Sequence, residues 1–521
     1  MHETGGPASP PDVVRSLVPA RIDRLPWSRF HTRMIVALGV AWVLDGLEIQ
    51  IASIVGPVLQ HHGTLGLSSR AVGFAATVYL LGEVVGALVF GRLSDRLGRR
   101  KLFIATLGLY LAANALTALS FNYGIFLLFR FIAGMGIGGE YAAIHSAIDE
   151  LIPARYRGRV DLAVSGTYWF GAILASLGEY VLLNPHLLPQ NLGWRIGFFI
   201  GPVIGVGIWT LRRTLPESPR WQLMHGRADE AEETVAQIER EVEATGHRLP
   251  PVDESRYLDV HPHESVSFLT VGRTLFREYP SRSLLGATLM ISQSFLYNAI
   301  FFTYGLVLSH FYGVADHDVP KYFFAFAAGN LLGPLVLGPL FDTIGRKRMI
   351  AGTYLFSGTL LAVSGYLFKL GELSALTQTI LWSVIFFVAS AAASSGYLTV
   401  SEIFPLELRA QAIALFFAIA QVFGALGPTI FGALIGDKDH PDPGRLFIAY
   451  LIAAGIMLVA GVVEAVYGVR AERASLEDVA TPLSAARRTA EKVGRRLDNG
   501  TGPTGTGPTG TGPAGAGTAG A

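Results

Sequence analysis

Gly91-Arg-Leu-Ser-Asp95-Arg-Leu-Gly98-Arg-Arg-Lys101 and Gly338-Pro-Leu-Phe-Asp342-Thr-Ile-Gly345-Arg-Lys-Arg348 are two versions of one pattern, 247 residues apart. Each keeps glycine, aspartate, glycine and three basic residues at the same spacing, and each follows a long apolar run. A second pair, Glu150-Leu-Ile-Pro153-Ala-Arg-Tyr-Arg157 and Glu402-Ile-Phe-Pro405-Leu-Glu-Leu-Arg409, recurs at an offset of 252 and closes another run in each half. Two unrelated patterns repeating in register point to an internal duplication.

A bilayer core takes about 20 apolar residues as helix. Working outward from the repeats, twelve such runs lie near 34–59, 71–91, 102–120, 123–149, 160–183, 194–212, 284–309, 320–341, 348–368, 377–401, 410–435 and 445–468. The expectation is an all-α membrane protein with twelve transmembrane helices in two pseudo-symmetric six-helix bundles. Parallel repeats of this kind build transporters with a site near the bilayer midplane. Composition agrees: of 521 residues, 51% are hydrophobic and 16% charged, too apolar a surface to cover in water. The net charge of +1 gives no footprint for nucleic acid. With no cysteine, disulfides, thiolate metal sites and cysteine nucleophiles are excluded.

Loop charges set the expected orientation. Arg92, Arg96, Arg99, Arg100 and Lys101 follow the second run, Arg155, Arg157 and Arg159 the fourth, and Arg346, Lys347 and Arg348 the eighth. Alternate loops are poor in Lys and Arg, so both termini are expected in the cytoplasm and the protein in the plasma (inner) membrane. Residues 1–33 read as a polar cytoplasmic segment without a cleavable signal, 34–212 and 284–468 as the two bundles, and 213–283 as a charged cytoplasmic linker with an acidic amphipathic stretch from Ala228 to Glu243. The tail 469–521 ends in a Gly/Thr/Pro run and reads as cytoplasmic and disordered.

Over about residues 30–470 the chain resembles the major facilitator superfamily. Its signature is met by Gly91–Lys101 and, with Phe before Asp342, by Gly338–Arg348. The resemblance implies cytoplasmic charge clusters that latch the outward-facing state: Asp95, Arg99, Glu150 and Arg157 in the first half, Asp342, Arg346, Glu402 and Arg409 in the second. Arg130-Phe-Ile-Ala-Gly134-Met-Gly-Ile-Gly138-Gly-Glu140, Pro216-Glu-Ser-Pro-Arg220-Trp221 and Ser401-Glu-Ile-Phe-Pro405 are similar to the sugar-porter and metabolite:proton symporter branch.

Charges inside a bilayer are functional by default, costing roughly 2.5–3.5 kcal/mol each at a helix centre. The first run holds Asp45 and Glu48, three residues apart and so on one helix face. At 1.5 Å per residue Glu48 lies about 21 Å from Met34, roughly 9 Å below the outer edge of the core; Arg130 lies about 10 Å in from Tyr123. Gly46-Leu-Glu48 falls where the branch has Gly-Tyr-Asp. Glu48 is therefore expected to carry the proton with Arg130 as partner, and Asp45 is a further ion candidate. Glu83 and Glu140 stand open between internal pairing and function, and His145 reads as a structural histidine.

In the seventh run Gln293 and Asn298 keep a sugar-porter spacing, with Tyr297 between them, but Ser292 replaces the first Gln of that branch. Ser165 and Tyr397 stand where sugar porters carry a binding Gln and Trp; Trp169 and Asn330 complete the expected substrate set, with Asn114 and Gln421 also near mid-depth. The closing Pro-Glu-Thr motif is missing. These departures leave sugar, polyol and organic acid all open.

The function expected is secondary active transport, namely proton-coupled symport of a small polar metabolite by a monomer whose partners are substrate, protons and lipid. No cofactor or metal is expected, and no nucleophile, metal cluster or phosphate loop suggests an enzyme. A proton-driven exporter of the same fold and a non-transporting nutrient sensor are the alternatives.

Overall fold

The computed structural model describes residues 14–213, 216–252, 258–260, 268–404, 409–436 and 441–469. A short helix, α1 (Val18–Asp23), precedes the first six long ones: α2 (Arg29–Ile54), α3 (Ser69–Leu97), α4 (Arg99–Ala118), α5 (Tyr123–Leu151), α6 (Ala154–Leu182) and α7 (Gln190–Arg212). Three shorter helices follow: α8 (Pro219–Met224), α9 (Ala228–Glu243) and α10 (Phe268–Glu278). The second six are α11 (Pro280–Tyr312), α12 (Val319–Thr343), α13 (Arg346–Lys369), α14 (Ala375–Ile403), α15 (Arg409–Ile435) and α16 (Pro443–Tyr467). All twelve long helices fall on the twelve apolar runs. The largest offsets are six residues: α3 runs on to Leu97 through Arg92 and Arg96, and α6 begins ahead of its run because Arg155, Arg157 and Arg159 occupy its first turns. Two strands, β1 (Val14–Ser16) and β2 (Leu258–Val260), pair antiparallel and are a small exception to the all-helical expectation.

The duplication is visible in the packing. In the first bundle α2 packs on α6, α3 on α5 and α4 on α7; in the second α11 packs on α15, α12 on α14 and α13 on α16. The second glycine of each repeated motif does the same work: Gly98 (φ 92°) and Gly345 (φ 106°) turn the chain between α3 and α4 and between α12 and α13. That backbone region strains any residue with a Cβ.

Glycine also sets how closely helices meet. Gly82 and Gly86 of α3 lie against the Phe131 and Met135 carbonyls, and Gly134 and Gly138 of α5 lie against those of Tyr79 and Glu83. An added Cβ would come within 2.0–2.3 Å of each carbonyl oxygen. The small-xxx-small pattern of α5 thus meets a matching one on α3, giving backbone-to-backbone packing of the kind membrane helices use. The outer surface is apolar, with Val203, Leu335 and Val459 each more than half exposed, as lipid contact requires.

The segment between the bundles is docked rather than extended. Ala231, Val235, Ile238 and Val242 form the buried stripe of α9: the first two join a small core with Val18, Ile22 and Leu223, and the last two pack with Leu25, Phe30 and Met34 at the foot of the first bundle. Around it Glu239 accepts hydrogen bonds from Arg21 (2.6 Å) and Arg24 (2.7 Å), Glu232 pairs with Arg21, and Glu241 pairs with Arg33 at 3.0 Å. Burial raises the Glu239 pKa, but the Arg21 and Arg24 contacts outweigh it and hold the carboxyl below the usual carboxylate range. Residues 470–521, including the Gly/Thr/Pro run, lie outside the described residues.

Candidate functional site

The α2–α3 and α11–α12 connections share one face, the loop face; the helix ends bearing the repeated motifs form the opposite, terminal face. The two bundles are joined at the loop face. Thr77 of α3 donates to the Ala425 carbonyl of α15 and pairs with Thr429 at 2.7 Å; Ser69 donates to the Gly436 carbonyl at 2.8 Å. Gly73 and Gly432 bring α3 and α15 into backbone contact. Gln60 bonds His310 at 2.8 Å, and His61 meets Asp316 at 2.6 Å. The symmetry-related pair, α6 and α12, also touch, with the Lys321 ammonium 4.9 Å from the Tyr180 ring centre.

Below this seal lies the polar centre of the first bundle. Glu48 is 1% exposed, and among the described residues no group meets either carboxyl oxygen at full hydrogen-bond geometry. Tyr110 and Asn114 stand nearest as hydrogen-bonding groups, and the charges of Arg130 and Glu140 reach it. The Arg130 guanidinium, 2% exposed, lies 4.0 Å from the Tyr79 ring centre and 5.5 Å from that of Phe198, a doubly aromatic cation–π site. Its two terminal nitrogens are unpartnered. Glu48 and Arg130 are therefore neighbours, as their sequence depths imply, but no hydrogen bond or ion pair joins them. The aromatic rings take the cation because the α3–α5 glycine contacts press Tyr79 against the Arg130 turn. A cavity of about 20 Å³ borders Arg130, Phe198 and Phe302, room for roughly one water. Asp45 is fully buried on α2, and its charge reaches Tyr79 and Tyr110.

Between the bundles a polar chain crosses from α3 to α15. The Gln421 amide donates to Glu83 at 2.6 Å and accepts from Ser294 at 2.5 Å and from Asn298 at 3.3 Å; Asn298 also donates to Ser294 at 3.2 Å. Sequence reading left Glu83 open between pairing and function; its partner stands in the other bundle, 338 residues away. Beside this chain Trp169 of α6 meets Tyr297 and Phe301 of α11, with ring centres 6.2 Å apart in both cases. The Tyr297 hydroxyl donates to Asn330 at 2.8 Å, and Gln293 accepts from Tyr354 at 3.3 Å. Five of the seven expected substrate residues, Trp169, Gln293, Tyr297, Asn298 and Asn330, thus occupy α6, α11 and α12 around the bundle interface. The side chains of the other two, Ser165 and Tyr397, lie outside the described residues, as does that of His145.

Of the expected latch, the side chains of Asp95, Glu150, Arg157, Asp342, Glu402 and Arg409 lie outside the described residues. Arg99 opens α4 and Arg346 opens α13, each directly after its positive-φ glycine. Glu217, from the Pro216-Glu-Ser-Pro segment, accepts from the Arg99 and Arg100 backbone amides at 2.9 and 3.1 Å. It caps an N-terminus that has no capping side chain of its own, where a carboxylate is favoured. The same segment therefore ties the end of the first bundle to the start of α4, a contact that sequence reading noted only as family likeness.

Sequence reading missed Tyr79, Tyr110 and Ser294, whose roles follow from packing alone. It also missed Glu179 of α6, 1% exposed with neither oxygen hydrogen-bonded among the described residues; a glutamate so near the end of an apolar run reads as a loop residue.

Comparison with known proteins places this geometry. The niacin transporter NiaP of Acinetobacter baylyi is 28% identical over 448 residues, covering 85% of this chain and 96% of that one. The putative metabolite transport protein YdjK of Escherichia coli is 27% identical over 476 residues, covering 88% and 96%. Among solved structures, the inward-open xylose transporter XylE of E. coli superposes with a TM-score of 0.65 at 20% identity, covering 86% of this chain and 98% of that one. The model of the sugar (and other) transporter family matches residues 48–477. A duplicated twelve-helix bundle with polar groups buried at its centre, matched by that model over most of its length, is a membrane transporter: the chain belongs to the sugar (and other) transporter family.

Proposed function

We propose that the protein is a proton-coupled symporter that works by alternating access, and that its sealed loop face is the extracytoplasmic side. The observation that carries this reading is the buried Glu48 carboxyl, not paired with the neighbouring Arg130, which faces aromatic rings instead. Two separate charges at that depth cost several kcal/mol together. A proton on Glu48 removes one of them, and its loss re-forms the attraction to Arg130, so proton release and a change in the α2–α5 packing are one event. The orientation rests on the arginines and lysines gathered at the terminal face. Both termini, the docked linker and the tail are then cytoplasmic, in the inner membrane, and one chain is a complete transport unit.

For the substrate, a small aromatic carboxylate fits better than a hexose. A sugar demands several free donors and acceptors at once, whereas Ser294, Asn298 and Gln421 already bond one another. Trp169, Tyr297 and Phe301 offer ring faces, and the likeness to a niacin transporter points the same way. The test is uptake of radiolabelled nicotinate into proteoliposomes with an acid exterior, with xylose as the control. Accumulation is expected for nicotinate alone. Glu48→Gln is expected to abolish accumulation while sparing nicotinate exchange. Undiminished proton-driven accumulation in that variant would refute the role of Glu48.

A further inference from the structure

The α7 helix presents a rail of glycines at every fourth residue. Gly193 lies against the Leu182 carbonyl and Gly205 against Leu111; between them, Gly197 lies against the Glu179 carboxyl and Gly201 against that of Glu48. A Cβ on Gly197 would come within 2.1 Å of Glu179 Oε1, and one on Gly201 within 2.3 Å of Glu48 Oε1. Positions i and i+4 of a helix stand about 6 Å apart, so two buried carboxyls from different helices face one glycine strip one turn apart. Depth measured along their own helices agrees. At 1.5 Å per residue Glu179 sits about 4.5 Å from the loop-face end of α6, and Glu48 about 9 Å from that of α2.

We infer that Glu179 is a second proton-binding site, the entry group through which Glu48 exchanges protons with the loop-face side. This rests on the proposed role of Glu48. A proton from that side binds the Glu179 carboxylate to give the neutral acid. It then passes along the glycine strip through a bridging water to the Glu48 carboxylate, leaving Glu179 ionised and ready for the next. The strip suits this because glycine places nothing between the two oxygens. The charged groups on the surrounding elements are Asp45 and Glu48 on α2, Arg195 on α7, Lys321 on α12 and, in the turn before α12, Asp316, which His61 holds. Among the described residues none of them forms a hydrogen bond or ion pair with Glu179.

Infrared titration of the purified, substrate-free protein tests the inference without knowledge of the substrate. Glu179→Gln, nearly isosteric, is expected to remove one protonated-carboxyl band and to shift the titration of the band that Glu48→Gln removes. In proteoliposomes with an acid exterior and nicotinate as probe, it is expected to slow proton entry about tenfold or more while leaving nicotinate exchange within about twofold. Gly197→Ser, whose Cβ would come within 2.1 Å of Glu179 Oε1 and so displaces that carboxyl, is expected to shift the Glu179 band and with it the titration of the Glu48 band; it serves if Glu179→Gln does not fold. An unaltered carboxyl spectrum in these variants, or a Glu48 titration indifferent to them, overturns the relay even where Glu48→Gln abolishes coupling. Failure of Glu48→Gln to affect coupling would instead remove the reading on which the relay rests.

Discussion

Gly73→Ala tests whether the loop-face seal is a separable, state-specific contact. A Cβ on Gly73 would lie 2.2 Å from the Pro428 carbonyl oxygen and 2.9 Å from the carbonyl carbon. Non-bonded heavy atoms rest about 3.5 Å apart, so α3 and α15 must separate by roughly 1 Å, and no side-chain rotamer relieves backbone. Overpacking of this size costs about 1–3 kcal/mol. The cost falls on the sealed state alone, because an opened seal no longer holds the two helices together. The equilibrium should move about 5- to 150-fold toward opening. Since the chain has no cysteine, Ala76→Cys supplies a single reporter thiol, buried on α3 beside the small cavity. Maleimide should label it at least about fivefold faster when Gly73→Ala is added. Gly352→Ala, whose Cβ meets nothing within 4 Å, should leave the rate unchanged. Unchanged labelling in folded Gly73→Ala protein would refute the argument that this contact holds the sealed state.

Three further outcomes follow from the geometry. Gln421→Leu leaves the Glu83 carboxyl without its 2.6 Å donor and should cost about 1–3 kcal/mol, read as a lower melting temperature; Glu83→Leu/Gln421→Leu should recover most of that loss, since removing both partners is nearly neutral. Asp316→Asn takes the carboxylate out of the half-exposed His61 contact, worth at most about 0.2–1 kcal/mol, so labelling of the same thiol should rise by less than in Gly73→Ala. The Glu239 pKa is lower in the folded chain than in the unfolded one. Its contribution to docking is therefore complete above the ordinary carboxylate range and lost as pH falls through the folded value. Hydrogen exchange in α9 should accelerate over that acid window, and in Glu239→Gln it should already be fast above it.

The fold was legible because hydropathy and two repeated motifs speak to length and symmetry, which membrane helices express directly. The α6 start was misjudged for the converse reason: arginines in its first turns carry no apolar signal although the backbone is already helical. The depths of Glu48 and Arg130 could be counted from rise per residue. Their failure to bond could not, because the aim of Arg130 depends on how closely Gly134 and Gly138 let α3 approach. The docking of α9 was hidden for a similar reason. Its amphipathic stripe shows that something must cover it, but the arginines that complete the contact lie more than 200 residues earlier in the chain. Glu179 needed both kinds of information, since only the partner helix, with glycine at 197, makes a carboxyl near a helix end a buried one.

The seal itself divides its specification unequally. On α3 the donors are side chains, Ser69 and Thr77, while two of their acceptors across the seam are the main-chain carbonyls of Gly436 and Ala425. A carbonyl is supplied by whatever residue stands there. The α15 side can therefore drift in sequence at those acceptor positions without losing the lock, provided it stays slim enough to be approached, whereas the α3 side cannot. A lock specified in this way leaves the second bundle free to change elsewhere with the seam intact.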